Sequence, residues 1–296
     1  MSGTSTPMLS VSQFTTWHQT FEEDVVLYAH LGIEGIEICE RKMSTDPGEA
    51  REQLAMVKDH GLTVTSVQPR VHALFKDFMC PDLIDPVERM ARFRRSIDLF
   101  GESFPGEQIT LVTIGGNAPD LNFQYAHRVA RELYPQVADY AADRGIRMSY
   151  EPLSPVLMNN DTFTCTMYES MDLVEDVGRD NFGFTLDTYH VWREPGIYER
   201  IRAAGDRIFV VHISDWPEGE PRHPGDRRIC GEGIMDLPRI FGAIEDAGFS
   251  GAYALEIFSI DELPADPASL WLADPAHVIN ASREGFKRAW EKCICD

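Results

Sequence analysis

The sequence has no apolar run close to the ~18 residues a transmembrane helix needs, so no such helix is expected. Its start, MSGTSTPMLS, lacks the charged and apolar regions of a signal peptide. Lysine is scarce, with five residues at 42, 58, 76, 287 and 292. Lys and Arg total 27 against 48 Asp and Glu, a formal net charge of −21. A chain this acidic is a poor match for a phosphate backbone or an anionic membrane surface, so no nucleic-acid or membrane partner is expected. The six cysteines are scattered, and only Cys293 and Cys295 lie close together, with no second pair to complete a zinc site. A reduced, cytoplasmic protein is the expectation. Also missing are a linker, a low-complexity stretch, and a GxGxxG after the first apolar run, the usual mark of an open dinucleotide-binding sheet.

What the 296 residues do contain is an alternation. Eight short apolar runs read as strands: Met8–Val11, Gly35–Cys39, Thr63–Val67, Ile109–Ile114, Ile146–Glu151, Phe182–Asp187, Ile208–Ile213 and Tyr253–Phe258. Continuous runs such as IFVVHI suit strands covered on both faces. Most are followed by amphipathic segments that read as helices: Phe21–Leu31, Glu49–His60, Pro86–Phe100, Phe123–Arg144 with a bend near Pro135, Met167–Val177, Leu237–Ala247 and His277–Lys292. Glycine follows six of these seven segments, the usual helix stop. The pattern predicts an α/β fold, a single (β/α)8 barrel over residues 1–296, with a rim loop at 216–230 and a C-terminal extension at 261–296.

A barrel of this kind carries its chemistry at the C-terminal ends of its strands. Strand five ends in Glu151, strand six in Asp187 with His190 three residues on, strand seven carries His212 followed by Asp215, and strand eight carries Glu256. Singly, such carboxylates usually cap a helix or pair with a base. Jointly, three acids in apolar strands would cost several kcal/mol each if buried unpaired, and a shared cation resolves that cost. Two Glu, one Asp and one His suit one divalent ion: Mn²⁺, Mg²⁺, Co²⁺ or Zn²⁺.

The chain resembles the sugar isomerase/epimerase superfamily with the xylose-isomerase-like barrel, which also includes endonuclease IV. The likeness covers most of the chain and is strongest from Gly145 to Phe258. The resemblance implies metal ligands at Glu151, Asp187, His212 and Glu256. It places the D-x-x-H motif on Asp187–His190, with His190 contacting substrate. It places the R-x-x-x-G-x-G motif on Arg227–Gly233, with Arg227 on a substrate oxygen, and EPL on Glu151–Leu153. The implied activity is isomerisation or epimerisation of a sugar, keto-sugar or cyclitol by proton transfer through a metal-bound enediolate. Glu151 and Glu256 would be the catalytic acid–base pair. Inosose and 3-dehydroshikimate dehydratases resemble the same scaffold and supply the alternative, a lyase. The endonuclease branch needs three zinc ions and a basic face, which nine histidines and a charge of −21 do not favour.

Further substrate contacts are expected from His72 and Trp17, with His18 and Trp216 as pocket lining, the alternative for some of the four being packing of the rim. Asp215 has two readings, a partner that orients a ligand or a cap for its loop, with the first preferred. Tyr150 should point into the helix layer by strand alternation. Nothing beside Cys230 marks it as a nucleophile. Arg41, Lys42 and Arg70 could bind an anion, but no glycine-rich phosphate loop accompanies them, so an unphosphorylated substrate is expected. Trp216–Cys230 reads as a lid. Leu270, Trp271 and Leu272, within Asp261–Pro275, read as a homo-oligomer contact or as packing on the last helix.

Overall fold

The structure is a computed structural model, and it describes residues 6–219, 226–258 and 269–293. Eight parallel strands close into a ring in sequence order. They are β1 (Leu9–Ser12), β2 (Gly35–Cys39), β3 (Thr63–Gln68), β4 (Thr110–Ile114), β5 (Arg147–Glu151), β6 (Phe182–Asp187), β7 (Ile208–Ile213) and β8 (Tyr253–Leu255). β1 pairs with both β2 and β8, which closes the barrel and removes every free edge. β2, β4, β6 and β8 are buried at every position, as continuous apolar runs require.

Local chemistry sets the helix starts. Thr20 opens Phe21–His30 with a capping box, its hydroxyl accepting from the Glu23 N–H while the Glu23 carboxylate accepts from the Thr20 N–H. Asp46 and Asp85 cap Pro47–Asp59 and Pro86–Ser103, each with proline in the first helical turn.

Four elements differ from expectation. Gly101 does not stop its helix, which runs on to Ser103; a Cβ there would crowd Arg144, so its role is close packing. Two helices after β6, Thr188–Val191 and Ile197–Ala204, have no counterpart in the sequence reading. β8 ends at Leu255, one residue short of Glu256, although the Glu256 N–H still donates to the Ile213 carbonyl at 3.1 Å. The rim-loop and extension readings fall partly on residues 220–225, 259–268 and 294–296, which lie outside the described residues, as does Cys295. Among those that are described, Leu270 packs on the core, Trp271 donates its Nε1–H to the Ile257 carbonyl, and Leu272 is exposed. Among the described residues, no helix is long and apolar enough to cross a membrane.

Candidate metal centre

The barrel brings the four predicted ligands together. Glu151 ends β5, Asp187 ends β6, His212 lies in β7 and Glu256 follows β8. Each offers one ligand atom, and these atoms all lie within 4.8 Å of one another; all four residues are buried. Alternation along β5 accounts for the aim of its acid. Tyr150, the neighbour of Glu151, points outward instead, where its hydroxyl meets Thr164 Oγ1 at 2.7 Å and its ring meets Tyr134 edge-on.

The charges do not balance. Among the described residues, Glu37, Glu151, Asp187 and Glu256 face one guanidinium, Arg227, and two imidazoles, His212 and His190. With His190 neutral and the other groups ionised, four carboxylates against Arg227 and His212 leave two negative charges in excess, in a place where buried charge is expensive. Burial, with Glu151 and Asp187 adding to it against His212 and Arg227, lifts Glu256 to about 8. Burial likewise raises Glu151 against the pull of His212. Burial also raises Asp187, but Arg227, His190, His212 and the Tyr189 N–H together outweigh it and hold that carboxyl below the usual range. Burial would lower His212, yet Glu37, Glu256 and Glu151 together raise it well above an ordinary histidine.

This donor set fits a divalent cation. His212 Nδ1 lies 3.1 Å from Glu151 Oε1 and 3.5 Å from Glu256 Oε2. Its Nε2 is 2.8 Å from Glu37 Oε2. Both ring nitrogens face carboxylate oxygens, which only accept, so either the ring carries both hydrogens or a cation among the acids replaces the one on Nδ1 and leaves its lone pair there. A lone pair converging with three carboxylates needs a proton or a cation among them.

Two further residues border the cluster. Arg227 places Nη2 2.8 Å from Asp187 Oδ2 and Nη1 2.8 Å from Glu256 Oε2. Its guanidinium lies between the rings of Tyr189 and Phe258, 4.9 and 5.1 Å from their centroids. His190 Nδ1 accepts from the Ser154 N–H at 3.0 Å, which puts the hydrogen of the neutral ring on Nε2, 3.5 Å from Asp187 Oδ2 and 3.2 Å from Arg227 Nη2. Burial pushes His190 down to about 3, against the opposing charge of Asp187, which keeps it neutral.

The remaining candidates divide. The loop-cap reading of Asp215 is the one its contacts match. Oδ1 accepts from the Trp216 and Met235 N–H groups, and Oδ2 from Gly231 and Gly233, so no oxygen is spare for a ligand or a substrate. Gly233 is part of that design, since a Cβ there would meet the Asp215 carboxylate and the Trp216 carbonyl. Trp17 stacks on Phe14 and on Trp271 at the barrel mouth, and His18 meets Trp271 edge-on. Trp216 stacks on Tyr189 at 4.6 Å. His72 is buried with Nδ1 unpartnered, and burial pushes it down to about 4. The three candidate anion binders have internal work. Lys42 bonds Asp24 and the Thr16 carbonyl, Arg70 the carbonyls of Glu40 and Met43, and Arg41 the Met79 carbonyl and Cys80 Sγ. Burial raises the Cys230 thiol, which suits an inert core residue.

Sequence reasoning missed Glu37. It is an acid in the middle of the buried run GIEIC, the same signal that singled out Glu151 and Glu256.

A family model described as "xylose isomerase-like TIM barrel" matches residues 25–282. The chain belongs to that family. Relatives within this xylose isomerase-like group are enzymes of differing reaction class. A 3-dehydroshikimate dehydratase of Pseudomonas putida is 28% identical over 262 residues, covering 86% of this chain and 38% of the dehydratase. An L-ribulose 3-epimerase of Methylomonas is 32% identical over 125 residues, 42% of this chain and 40% of the epimerase. An inosose isomerase of Bacillus subtilis is 28% identical over 131 residues, 43% of this chain and 45% of the isomerase. The chain thus spans less than half the length of each of these relatives in the matched stretch. Among solved structures, a protein of Sinorhizobium meliloti 1021 superposes with a TM-score of 0.82 at 27% identity, covering 96% of this chain and 99% of that one. The IOLI protein, solved with a zinc atom bound, superposes at 0.77 with 19% identity, covering 96% and 98%.

Proposed function

We propose that this protein is a divalent-metal-dependent isomerase or epimerase of an unphosphorylated sugar, keto-sugar or cyclitol. The observation that carries the proposal is the convergence of Glu151, Asp187, His212 and Glu256 within 4.8 Å, buried at the C-terminal end of the barrel. A divalent cation held there would polarise a substrate carbonyl and take up the negative charge that develops when the neighbouring C–H bond loses its proton.

The chain's own residues supply the rest. Glu151 and Glu256 stand three strands apart in the ring, 3.1 and 3.5 Å from His212 Nδ1. One removes the proton and the other returns it from the opposite face. His190 presents Nε2–H as a neutral donor to a substrate oxygen, a role that needs no ionisation change near neutral pH. Arg227 holds a second substrate oxygen, its plane fixed between Tyr189 and Phe258. Burial of all four ligands keeps bulk water from the reacting carbon. Lys42, Arg41 and Arg70 are already bonded to the chain's own acceptors, which supports a substrate without phosphate.

A second reading is a dehydratase, favoured by the reach of the Pseudomonas putida match over 86% of this chain. The same proton removal would then be followed by loss of a β-hydroxyl, with His190 or His72 as the donor to the leaving oxygen. Product analysis by NMR over a panel of keto-sugars and cyclitols tests both. A new epimer or ketose supports the first reading, and a dehydrated enone replaces it with the second.

A further inference from the structure

We propose that Glu37 is a positioning residue for the metal centre, holding His212 in the orientation and tautomer that leave Nδ1 to ligate. The inference rests on the metal reading above. Glu37 lies on β2, three strands from β7 around the ring, and is fully buried. Its Oε2 meets His212 Nε2 at 2.8 Å and accepts the Ser66 hydroxyl at 2.6 Å. Both ring nitrogens face carboxylate oxygens, which have no hydrogen to give, and a cation held by Glu151, Asp187 and Glu256 would take the place of the hydrogen on Nδ1 and leave Nε2 as the donor to Glu37. A neutral imidazole has only one N–H, so its lone pair then stands on Nδ1, on the side of Glu151 Oε1 and Glu256 Oε2. A buried acid is a costly way to fill space in a barrel, and an apolar side chain would do it better. The cost makes sense if the charge is used through the imidazole. A carboxylate on the far nitrogen orients a ligating histidine and strengthens it as a donor.

The test is Zn²⁺ affinity of the full chain by chelator competition, with ¹⁵N-histidine NMR of the Zn²⁺-loaded protein. Glu37→Gln should bind Zn²⁺ roughly 10–100-fold more weakly. Its His212 Nε2 proton signal, hydrogen-bonded and slow to exchange in the wild type, should move or vanish. Ser66→Ala, which removes only the hydroxyl that steadies Glu37, is the second variant and should give a smaller loss of the same sign. Wild-type affinity in both variants, with an unchanged Nε2 proton, would overturn the role of Glu37 and leave the metal site standing. A wild type that takes up no Zn²⁺ would overturn the metal reading and this inference with it.

Discussion

Arg227 Nη1 lies 2.8 Å from Glu256 Oε2, and the same guanidinium reaches Asp187 Oδ2 at 2.8 Å through Nη2. One side chain thus ties together two of the four candidate ligands from strands at different points of the ring. It is 3% exposed, so the pairing is made out of water.

Removing that guanidinium leaves buried carboxylates without a partner. Arg227→Ala should cost about 3–5 kcal/mol in metal-free stability, because a broken buried pair is worse than none. Arg227→Lys keeps the charge but loses the fork. It should retain most of the stability and still lower kcat/KM, on the order of 100-fold. Urea unfolding and steady-state kinetics on the two variants check this. Equal stability and activity in all three proteins would contradict it.

Glu256→Gln preserves volume and removes an acid–base group. Activity should fall by roughly 10²–10⁴-fold, the usual worth of general acid–base catalysis. The fold should persist, since the excess of buried negative charge is reduced. Circular dichroism beside the rate assay separates the two effects.

His72 gives a pH signature in stability. Its folded value of about 4 lies below the ordinary 6.5, so the unfolded chain binds more protons between those limits. The sign follows: stability is fully present above pH 6.5 and is lost as pH falls toward 4. The loss is roughly 3 kcal/mol at most for such a shift. His72→Gln should flatten the slope in that window. Urea midpoints at pH 5 and pH 7 measure it, and a slope identical to the wild type would remove His72 as its cause.

Asp215 binds its loop together through four backbone N–H groups. The loop also passes against Gly285 of the last helix, where a Cβ would run into the Cys230 carbonyl. Asp215→Ala leaves several buried donors unsatisfied and should destabilise by roughly 2–4 kcal/mol. It should also lower kcat, because Arg227 precedes the stapled turn. Asp215→Asn keeps one carbonyl acceptor and should fall between. Thermal unfolding and kcat measured together show whether the two losses run in parallel.

The barrel was legible because period and punctuation repeat: IFVVHI, FGFTLD and GIEIC read as buried strands, and Gly178 ends Met167–Val177 with a left-handed residue as expected. The cluster was legible because Glu151, Asp187, His212 and Glu256 interrupt apolar runs at the same end of four consecutive strands. Ile197–Ala204 was not, being eight residues long and opened by Gly196, which offers no side-chain cap. Gly101 misled because a helix–helix contact and a helix stop use the same residue. Glu37 carries the same local signal but sits mid-strand rather than at a strand end, and its contact with His212, 175 positions away, is written in no local pattern.

The most direct test of the account is C–H exchange in D2O with the Mn²⁺-loaded protein and a panel of keto-sugars and cyclitols, followed by NMR. EDTA-treated protein and Glu256→Gln serve as controls. The account predicts deuterium entering at a carbon beside the carbonyl of at least one substrate, with the metal present and Glu256 intact, and in neither control. Exchange that persists at the same rate after EDTA, or a protein that binds no divalent ion at all, would contradict it.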